Sequence, residues 1–297
     1  MFGNHLAGIY EKALDPSDSW ERRLRKAKSL GFDFLEISID ESDERLERLY
    51  WPREEIERLR RLSSAEEMPI RSMCLSGHRR FPFGSADAAV REKAYDIMDR
   101  AIDFACAAGI RVIQLAGYDV YYEPSTPESV RRFREGMCWA VRRAARSQVM
   151  LAMEIMDTAF MNSITKHMGY EAMLHSPWYK VYPDIGNLSA WGENDPIEEL
   201  SRGLDSIVAV HVKDTLPVRA DSAGKFKGVP FGSGCVDFAG AFARLEELGY
   251  AGPYMIEMWY EPGTDDMERI SAAQSWLERQ FQAALAKTGA ARKGAAP

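Results

Sequence analysis

The sequence predicts a single-domain α/β protein of the (β/α)8 barrel type, and three features of the chain lead to this prediction. Short apolar stretches alternate with segments of helical periodicity along the 297 residues, and we count eight such units. Several predicted helices stop at a glycine just before the next apolar stretch, as at Gly31, Gly109 and Gly249. The later apolar stretches end in polar residues, which is where parallel barrel strands carry their chemistry. An open doubly wound sheet would more often use about five to seven strands.

The first four units are predicted from their cap and turn residues. Residues 17–21 contain an N-cap signal for the first helix, and Pro52 suits the first turn of the second. Thr126 and Pro127 form the same kind of start for the fourth. The predicted strands are 6–10, 34–39, 70–76 and 112–116, and the helices that follow them end at 30, 63, 108 and 146.

The last four units complete the predicted barrel over residues 1–286. A longer loop, 215–234, precedes the helix of the seventh unit. Residues 287–297 are mostly Ala, Gly and basic residues, and we expect them to form a disordered tail. The predicted strands are 150–156, 180–184, 207–213 and 254–257, and the helices that follow them are 163–174, 196–202, 238–248 and 266–286.

Composition restricts the classes of partner. A formal net charge of −7 and a pI near 5.4 argue against nucleic-acid binding, because phosphate contacts need a basic face. No apolar run approaches the roughly 18 residues of a membrane span. Four separated cysteines without a Cys-x-x-Cys pair, and no leader-like segment after Met1, indicate a reduced, cytoplasmic protein with a small-molecule partner.

Four polar residues stand at the ends of predicted strands five to eight. They are Glu154, Asp184, His211 and Glu257, and the ends of parallel barrel strands converge on one mouth. Taken singly, each carboxylate would more often be ion-paired or solvated, and the histidine would more often be a satisfied core group. Together, three desolvated carboxylates and one imidazole favour a bound cation, with Zn²⁺ or Mn²⁺ as the best match to these donors.

Long strings of the sequence resemble the L-ribulose-5-phosphate 3-epimerases of L-ascorbate catabolism, also called L-xylulose-5-phosphate 3-epimerases. The strings are Met-Glu-Ile-Met-Asp (153–157), Tyr-Pro-Asp-Ile-Gly-Asn-Leu-Ser-Ala-Trp (182–191), His-Val-Lys-Asp (211–214) and Ile-Glu-Met-Trp (256–259), with further likeness over 8–13, 72–82 and 112–122. The resemblance spans nearly the whole chain. It implies a barrel of the xylose-isomerase-like superfamily in which the same four residues are the metal ligands.

The resemblance also implies a reaction, the interconversion of L-ribulose 5-phosphate and L-xylulose 5-phosphate. The C3 hydrogen of such a ketose is α to the C2 carbonyl, so its removal gives a metal-stabilised cis-enediolate. Inversion requires a proton to leave one face and return to the other. Glu154 and Glu257 are the predicted pair of catalytic bases.

Substrate contacts are expected from residues near the same mouth. His78 and Lys213 are the favoured contacts, and Arg79 and Arg80 are further phosphate donors, although an Arg-Arg pair also fits a solvated loop. Asn187, three residues after Asp184, is expected to bind a sugar hydroxyl.

Three alternatives remain from other readings of the same residues. The same ligands suit an aldose-ketose isomerase or an epimerase of an unphosphorylated ketose. An abasic-site endonuclease fits the acidic charge and the single histidine poorly, and a non-catalytic sugar-binding barrel would leave both predicted bases without a role.

A homodimer is compatible with the aromatic residues near Tyr118.

Overall fold

A computed structural model describes the backbone of residues 1–294 and the side chains of residues 1–289. The strands are β1 (Ala7–Tyr10), β2 (Phe34–Ile39), β3 (Ile70–Leu75), β4 (Val112–Ala116), β5 (Met150–Glu154), β6 (Tyr179–Tyr182), β7 (Val210–Val212), β8 (Asp214–Leu216), β9 (Lys225–Val229) and β10 (Tyr254–Ile256). Eight of them form one parallel sheet in the order β6-β5-β4-β3-β2-β1-β10-β7.

Parallel bridges between the two edges of this sheet close it into a barrel. Val181 pairs with Ile207 and Asp184 pairs with His211, which joins the end of β6 to β7. The predicted (β/α)8 barrel is therefore confirmed. Its closing seam also brings two of the predicted metal ligands side by side.

Helices follow the strands and cover the outside of the barrel. Two predicted helix starts are confirmed: the side chains of Ser19 and Thr126 each accept a hydrogen bond from the backbone of the helix that follows them. Pro52 lies one residue before its helix, which begins at Arg53, and not in the first turn as predicted. The helices are α1 (Trp20–Ser29), α2 (Asp43–Glu47), α3 (Arg53–Ala65), α4 (Ala88–Ala108), α5 (Pro127–Ser147), α6 (Ile164–Leu174), α7 (Ile185–Ser189), α8 (Pro196–Gly203), α9 (Phe238–Glu247) and α10 (Asp266–Gly294).

The tail predicted over 287–297 falls on the end of α10 and on residues 295–297, which lie outside the described residues, so it stays a prediction. Within residues 1–294, no helix combines the length and the apolar character that a membrane span needs.

A β-hairpin occupies the region where the sequence predicted only a long loop. Strands β8 and β9 pair antiparallel and stand outside the barrel sheet. The carboxylate of Asp214 holds the base of this hairpin, since Oδ2 accepts from the amides of Gly232 and Gly234 at 2.9 and 2.8 Å. Residues 225–229 contain no continuous apolar run, which is the pattern by which the barrel strands were predicted.

The inside of the barrel contains a small apolar cluster beneath its polar mouth. Tyr10, Phe34, Ala152, Tyr182 and Met255 are buried members of this cluster. A larger apolar core lies between the strands and the surrounding helices. Both layers fix the strands rigidly, so side chains at the strand ends have defined positions.

Candidate active site

The four predicted ligands meet at the C-terminal mouth of the barrel. Glu154 ends β5, Glu257 directly follows β10, and His211 lies within β7. Asp184 lies two residues beyond the end of β6. One potential ligand atom from each residue lies within 4.8 Å of the corresponding atoms of the others, and all four side chains are buried. The structure therefore brings together the complete set.

Asp184 is fixed by the short helix that it begins. As the N-cap of α7, its Oδ1 accepts a hydrogen bond from the backbone amide of Asn187 at 2.9 Å. Its other oxygen, Oδ2, lies 2.7 Å from Nζ of Lys213. The cap thus occupies one oxygen of the carboxylate and leaves the other beside the ammonium of Lys213.

His211 is oriented from below by a carboxylate that sequence reasoning missed. Its Nε2 lies 2.8 Å from Oε1 of Glu36, whose other oxygen accepts a hydrogen bond from Ser72 Oγ at 2.6 Å. The opposite ring nitrogen, Nδ1, lies 3.2 Å from the side-chain amide nitrogen of buried Gln114. It also faces Oε1 of Glu154 at 3.6 Å and Oε2 of Glu257 at 3.7 Å. A signal for Glu36 existed in the sequence, because it is the one charged residue of strand 34–39.

Lys213 brings an ammonium into the group of carboxylates. Its Nζ lies 2.7 Å from Asp184 Oδ2 and 2.8 Å from Glu257 Oε2, and the side chain is buried. Burial disfavours the charged amine, but the charges of Asp184 and Glu257 outweigh this effect and raise the pKa of Lys213.

The carboxylates respond differently to the same enclosure. Burial raises the pKa of Glu154, and it raises the pKa of Asp184 to about 7 although Lys213 opposes the shift. Burial acts in the same direction on Glu257, but Lys213 and His211 outweigh it and hold the pKa of Glu257 well below its ordinary value. Ionisation of these three carboxylates in a buried site is therefore costly unless a positive charge lies beside them.

This arrangement fits a divalent cation. Three carboxylates and an imidazole whose Nδ1 faces the carboxylates are the donors that borderline ions such as Zn²⁺ and Mn²⁺ prefer. The desolvation of three acids at one point is costly, and a bound cation offsets it.

A cavity opens directly above these residues. Five of the predicted site residues line it, namely Arg79, Glu154, Asn187, Lys213 and Glu257. Asn187 donates from Nδ2 to the carbonyl of Ile155 at 2.7 Å, whereas its Oδ1 has no hydrogen-bond partner among the described residues. That oxygen is therefore available to a hydroxyl group in the cavity.

The three consecutive basic residues after β3 point in different directions. Arg79 reaches the cavity, and its Nη2 donates to the hydroxyl of Tyr118 at 3.0 Å. Arg80 is turned outward, with 47% of its side chain exposed and Nη1 at 2.7 Å from Asp43.

His78 is turned into the protein and away from the cavity. Its Nε2 lies 3.1 Å from the carbonyl oxygen of Ala94, and its ring stacks on Phe83 with centroids 4.9 Å apart. The structure thus does not bring His78 or Arg80 to the cavity. The tight 3-10 turn over Gly77–Arg79 separates neighbouring side chains by about a third of a turn each, which the sequence alone did not reveal.

Further cavity residues were not predicted as contacts. Lys12, on the turn after β1, forms an ion pair with Asp40. Lys227, from the hairpin, lies with Nζ 5.8 Å from the ring centre of Trp259. The wall also includes Tyr10, Asp157 and Phe226. Lys12 and Tyr10 lie within the string 8–13, which carried part of the family resemblance and could have drawn attention to them.

Comparison with known protein families matches residues 24–280 to the family described as xylose isomerase-like TIM barrel. Among curated relatives, the putative L-ribulose-5-phosphate 3-epimerase SgbU of Escherichia coli (strain K12) is 56% identical over 281 residues, which are 95% of this chain and 98% of the relative. The L-ribulose-5-phosphate 3-epimerase UlaE of Escherichia coli (strain SE11) is 54% identical over 284 residues, 95% of each chain.

Solved structures share the fold at lower identity. An L-ribulose 3-epimerase superposes with a TM-score of 0.78 at 19% identity, covering 98% of this chain and 99% of that chain. A 3-keto-D-glucoside 4-epimerase from E. coli superposes with a TM-score of 0.73 at 17% identity, covering 93% and 99%. On the strength of the sequence relatives and the family match, the chain belongs to the L-ribulose-5-phosphate 3-epimerase family of xylose isomerase-like TIM barrels and is an enzyme of the epimerase class.

Proposed function

We propose that the chain interconverts L-ribulose 5-phosphate and L-xylulose 5-phosphate by moving a proton at C3. The observation that carries this proposal is the meeting of two buried glutamates, Glu154 and Glu257, with Asp184 and His211 at one point of the barrel mouth. The names of relatives with more than half of their residues identical support the same substrate pair.

Glu154, Asp184, His211 and Glu257 would hold a divalent ion, for which Zn²⁺ and Mn²⁺ suit the donors. When bound, the ion supplies Lewis-acid stabilisation of the negative charge that develops on the oxygens of the substrate. The protein contributes fixed ligands, since Asn187 restrains Asp184 and Glu36 restrains His211.

The two glutamates approach the centre from different sides of the barrel. Glu154 ends β5 and Glu257 follows β10, and strands β6 and β7 lie between them around the closed sheet. One carboxylate takes the C3 proton, the electron pair of the C–H bond moves toward the C2 carbonyl, and the other carboxylic acid returns a proton to the opposite face. Each glutamate therefore needs one carboxylate oxygen free to exchange the proton, while its second oxygen would hold the divalent ion.

The phosphate group is best accommodated at the basic rim of the cavity. Arg79, Lys12 and Lys227 all line it, and a guanidinium binds phosphate with charge-assisted, bidentate hydrogen bonds. Asn187 and Lys213 lie deeper, beside the reacting end of the sugar. We place His78 and Arg80 outside direct contact, because both side chains are directed elsewhere.

Proton NMR of L-ribulose 5-phosphate with the metal-loaded protein in D₂O tests the proposal. Deuterium at C3 together with L-xylulose 5-phosphate, both abolished by a chelator, is the expected result. Deuterium at C1 with an aldose product would instead identify an isomerase, and equal turnover of free L-ribulose would identify an epimerase of unphosphorylated ketoses. Absence of any carbon-bound exchange in protein shown to bind metal would refute the proposed substrate.

Two properties of the whole protein remain predictions within this proposal. A homodimer is tested by the mass of the purified protein in light scattering, and a cytoplasmic location by fractionation of the source cells.

A further inference from the structure

A second cavity lies at the opposite, N-terminal end of the barrel. Its volume is about 310 Å³, and it shares no lining residue with the cavity above the metal ligands. Residues at or near the starts of several barrel strands form its wall, among them Phe34, Arg71 and Val112. This volume stands at the small end of the range, about 300–1,000 Å³, that small-molecule sites occupy.

Two arginines stand side by side in this wall. The backbone amide of Arg111 donates to the carbonyl of Arg71 at 3.2 Å, so the two residues enter neighbouring strands. Both side chains are exposed, and neither guanidinium pairs with a carboxylate or makes a side-chain hydrogen bond within residues 1–289. Two adjacent positive charges without acidic partners do not stabilise the barrel, but they suit an anion.

A buried hydroxyl at the same cavity also lacks a partner. Tyr182 is 1% exposed and lines the cavity, and its hydroxyl oxygen has no hydrogen-bond partner among the described residues. Buried polar groups in proteins are nearly always satisfied, so an unpartnered one at a cavity wall indicates that a ligand or water supplies the missing bond.

Most of the remaining wall is apolar. Phe34, Val112, Val208 and Pro253 present hydrocarbon surface to the cavity. A ligand that fills it must therefore combine an apolar body with a charged end, because inorganic anions would leave this surface in contact with water.

We propose that this cavity is a second binding site, for a small organic carboxylate with an apolar body. The carboxylate meets the guanidinium groups of Arg71 and Arg111, the hydroxyl of Tyr182 binds a polar atom of the ligand, and the apolar body lies against Phe34 and Val208. The proposal is independent of the substrate assigned above, since the two cavities have no residue in common.

The cavity is nevertheless connected to the metal ligands by direct contacts. Ser72 lines it and donates to Glu36 at 2.6 Å, and Glu36 contacts His211 Nε2 at 2.8 Å. The ring of Tyr182 packs edge-on against the imidazole of His211 with centroids 4.7 Å apart. A ligand in this cavity would therefore touch Tyr182, which packs on His211, and Ser72, which reaches His211 through Glu36.

Titration of the full-length, metal-loaded protein with benzoate tests the proposal, with binding followed by calorimetry. We expect saturable binding that becomes at least about 10-fold weaker in the double variant Arg71→Gln/Arg111→Gln. Benzamide, which has the same body without the charge, should bind at least about 10-fold more weakly than benzoate to the unaltered protein. Saturating L-ribulose 5-phosphate should leave benzoate binding in place.

A matched control removes two arginines elsewhere. Arg142 and Arg146 are exposed on α5 and likewise lack acidic partners among the described side chains, so Arg142→Gln/Arg146→Gln makes the same change in net charge. The control should bind benzoate as the unaltered protein does. The proposal is overturned if benzoate shows no saturable binding up to about 10 mM, if both double variants weaken it equally, or if the substrate displaces it.

Discussion

Glu36 and His211 form a fully buried pair in which Glu36 Oε1 lies 2.8 Å from His211 Nε2. If Nε2 carries a proton and donates it to Glu36, then Nδ1, which faces Glu154 and Glu257, is the nitrogen left to bind a cation. Carboxylates that accept from the far side of a ligand histidine orient its ring and raise its basicity. Glu36 is thus a positioning residue one layer below the candidate metal centre.

Replacement of Glu36 should weaken metal binding while the barrel stays folded. We expect Glu36→Gln to lower the affinity for Zn²⁺ or Mn²⁺ by about 10- to 100-fold, measured by competition with a chelator. Glu47→Gln, an exposed change on α2, is the control and should leave the affinity unaltered. An unchanged affinity in Glu36→Gln would mean that the imidazole is held by its other contacts.

The two proposed bases should be individually essential for turnover. Glu154→Gln and Glu257→Gln are each expected to reduce kcat by at least about 10²–10⁴-fold, the contribution of a positioned general acid or base. Far-UV circular dichroism checks the fold, and metal titration separates a lost base from a lost ligand. A variant that still epimerises at the unaltered rate removes its residue from the mechanism.

The neighbouring arginines Arg79 and Arg80 should differ sharply in substrate binding. Arg79→Gln is expected to raise KM for L-ribulose 5-phosphate by about 10-fold or more, with a smaller effect on kcat, because a charge-assisted contact is lost. Arg80→Gln is the matched control, since its side chain points to Asp43, and it should change KM by less than about 2-fold. The reverse order would exclude Arg79 as the main phosphate contact.

Burial of His167 should make stability depend on pH below neutrality. Its side chain is fully buried, and burial lowers the pKa of His167 to about 4, against 6.5 in the unfolded chain. Between these values the unfolded state binds the proton and the native state does not, so stability falls as pH falls from about 6.5 toward 4. The loss from this group between pH 7 and pH 5 is about 2 kcal/mol.

Urea unfolding of His167→Phe at the two pH values measures this contribution. Between pH 7 and pH 5, the free energy of unfolding of the variant should fall by about 2 kcal/mol less than that of the unaltered protein. His175→Asn, an exposed change, should show the unaltered pH dependence. If all three proteins lose the same free energy of unfolding between pH 7 and pH 5, His167 does not resist protonation.

Removal of Glu11 should destabilise the barrel strongly. This carboxylate is 1% exposed and accepts from Arg23 at 3.0 Å, Arg45 at 2.6 Å and Arg48 at 2.8 Å. Glu11→Gln leaves these guanidinium groups without their shared counter-ion. We expect the free energy of unfolding, measured with urea, to fall by about 3–5 kcal/mol. A loss below about 1 kcal/mol would mean that the arginines find other partners.

An exposed ion pair is the control for this change. Glu21 pairs with Arg25 on the surface of α1, where the two side chains are 49% and 62% exposed. Glu21→Gln should alter stability by less than about 1 kcal/mol, because solvent screens the pair.

The order of strands and helices was predictable because each unit repeats the same local signals. Apolar strand runs, helix caps such as Thr126 and stops such as Gly109 depend on neighbours in sequence. The meeting of Glu154, Asp184, His211 and Glu257 was predictable for a related reason, since barrel geometry directs all strand ends to one mouth. Neither prediction depends on the direction of an individual side chain.

The remaining parts of the site depend on contacts between distant residues. Glu36 acquires its role from His211, which follows it by 175 residues. His78 and Arg79 are adjacent in sequence, yet one stacks on Phe83 in the core and the other lines the cavity. The direction of each side chain depends on its position in the 3-10 turn Gly77–Arg79, and the sequence does not predict the orientation of that turn.

The hairpin of β8 and β9 has a consequence for how such enzymes diversify. It adds Phe226 and Lys227 to the cavity from a single continuous segment that lies between two barrel strands and belongs to neither. Insertions or deletions there reshape one wall without moving the glutamates, aspartate or histidine of the centre. A change in the length of this one segment would therefore alter the shape of the cavity and leave the strand ends that carry Glu154, Asp184, His211 and Glu257 in place.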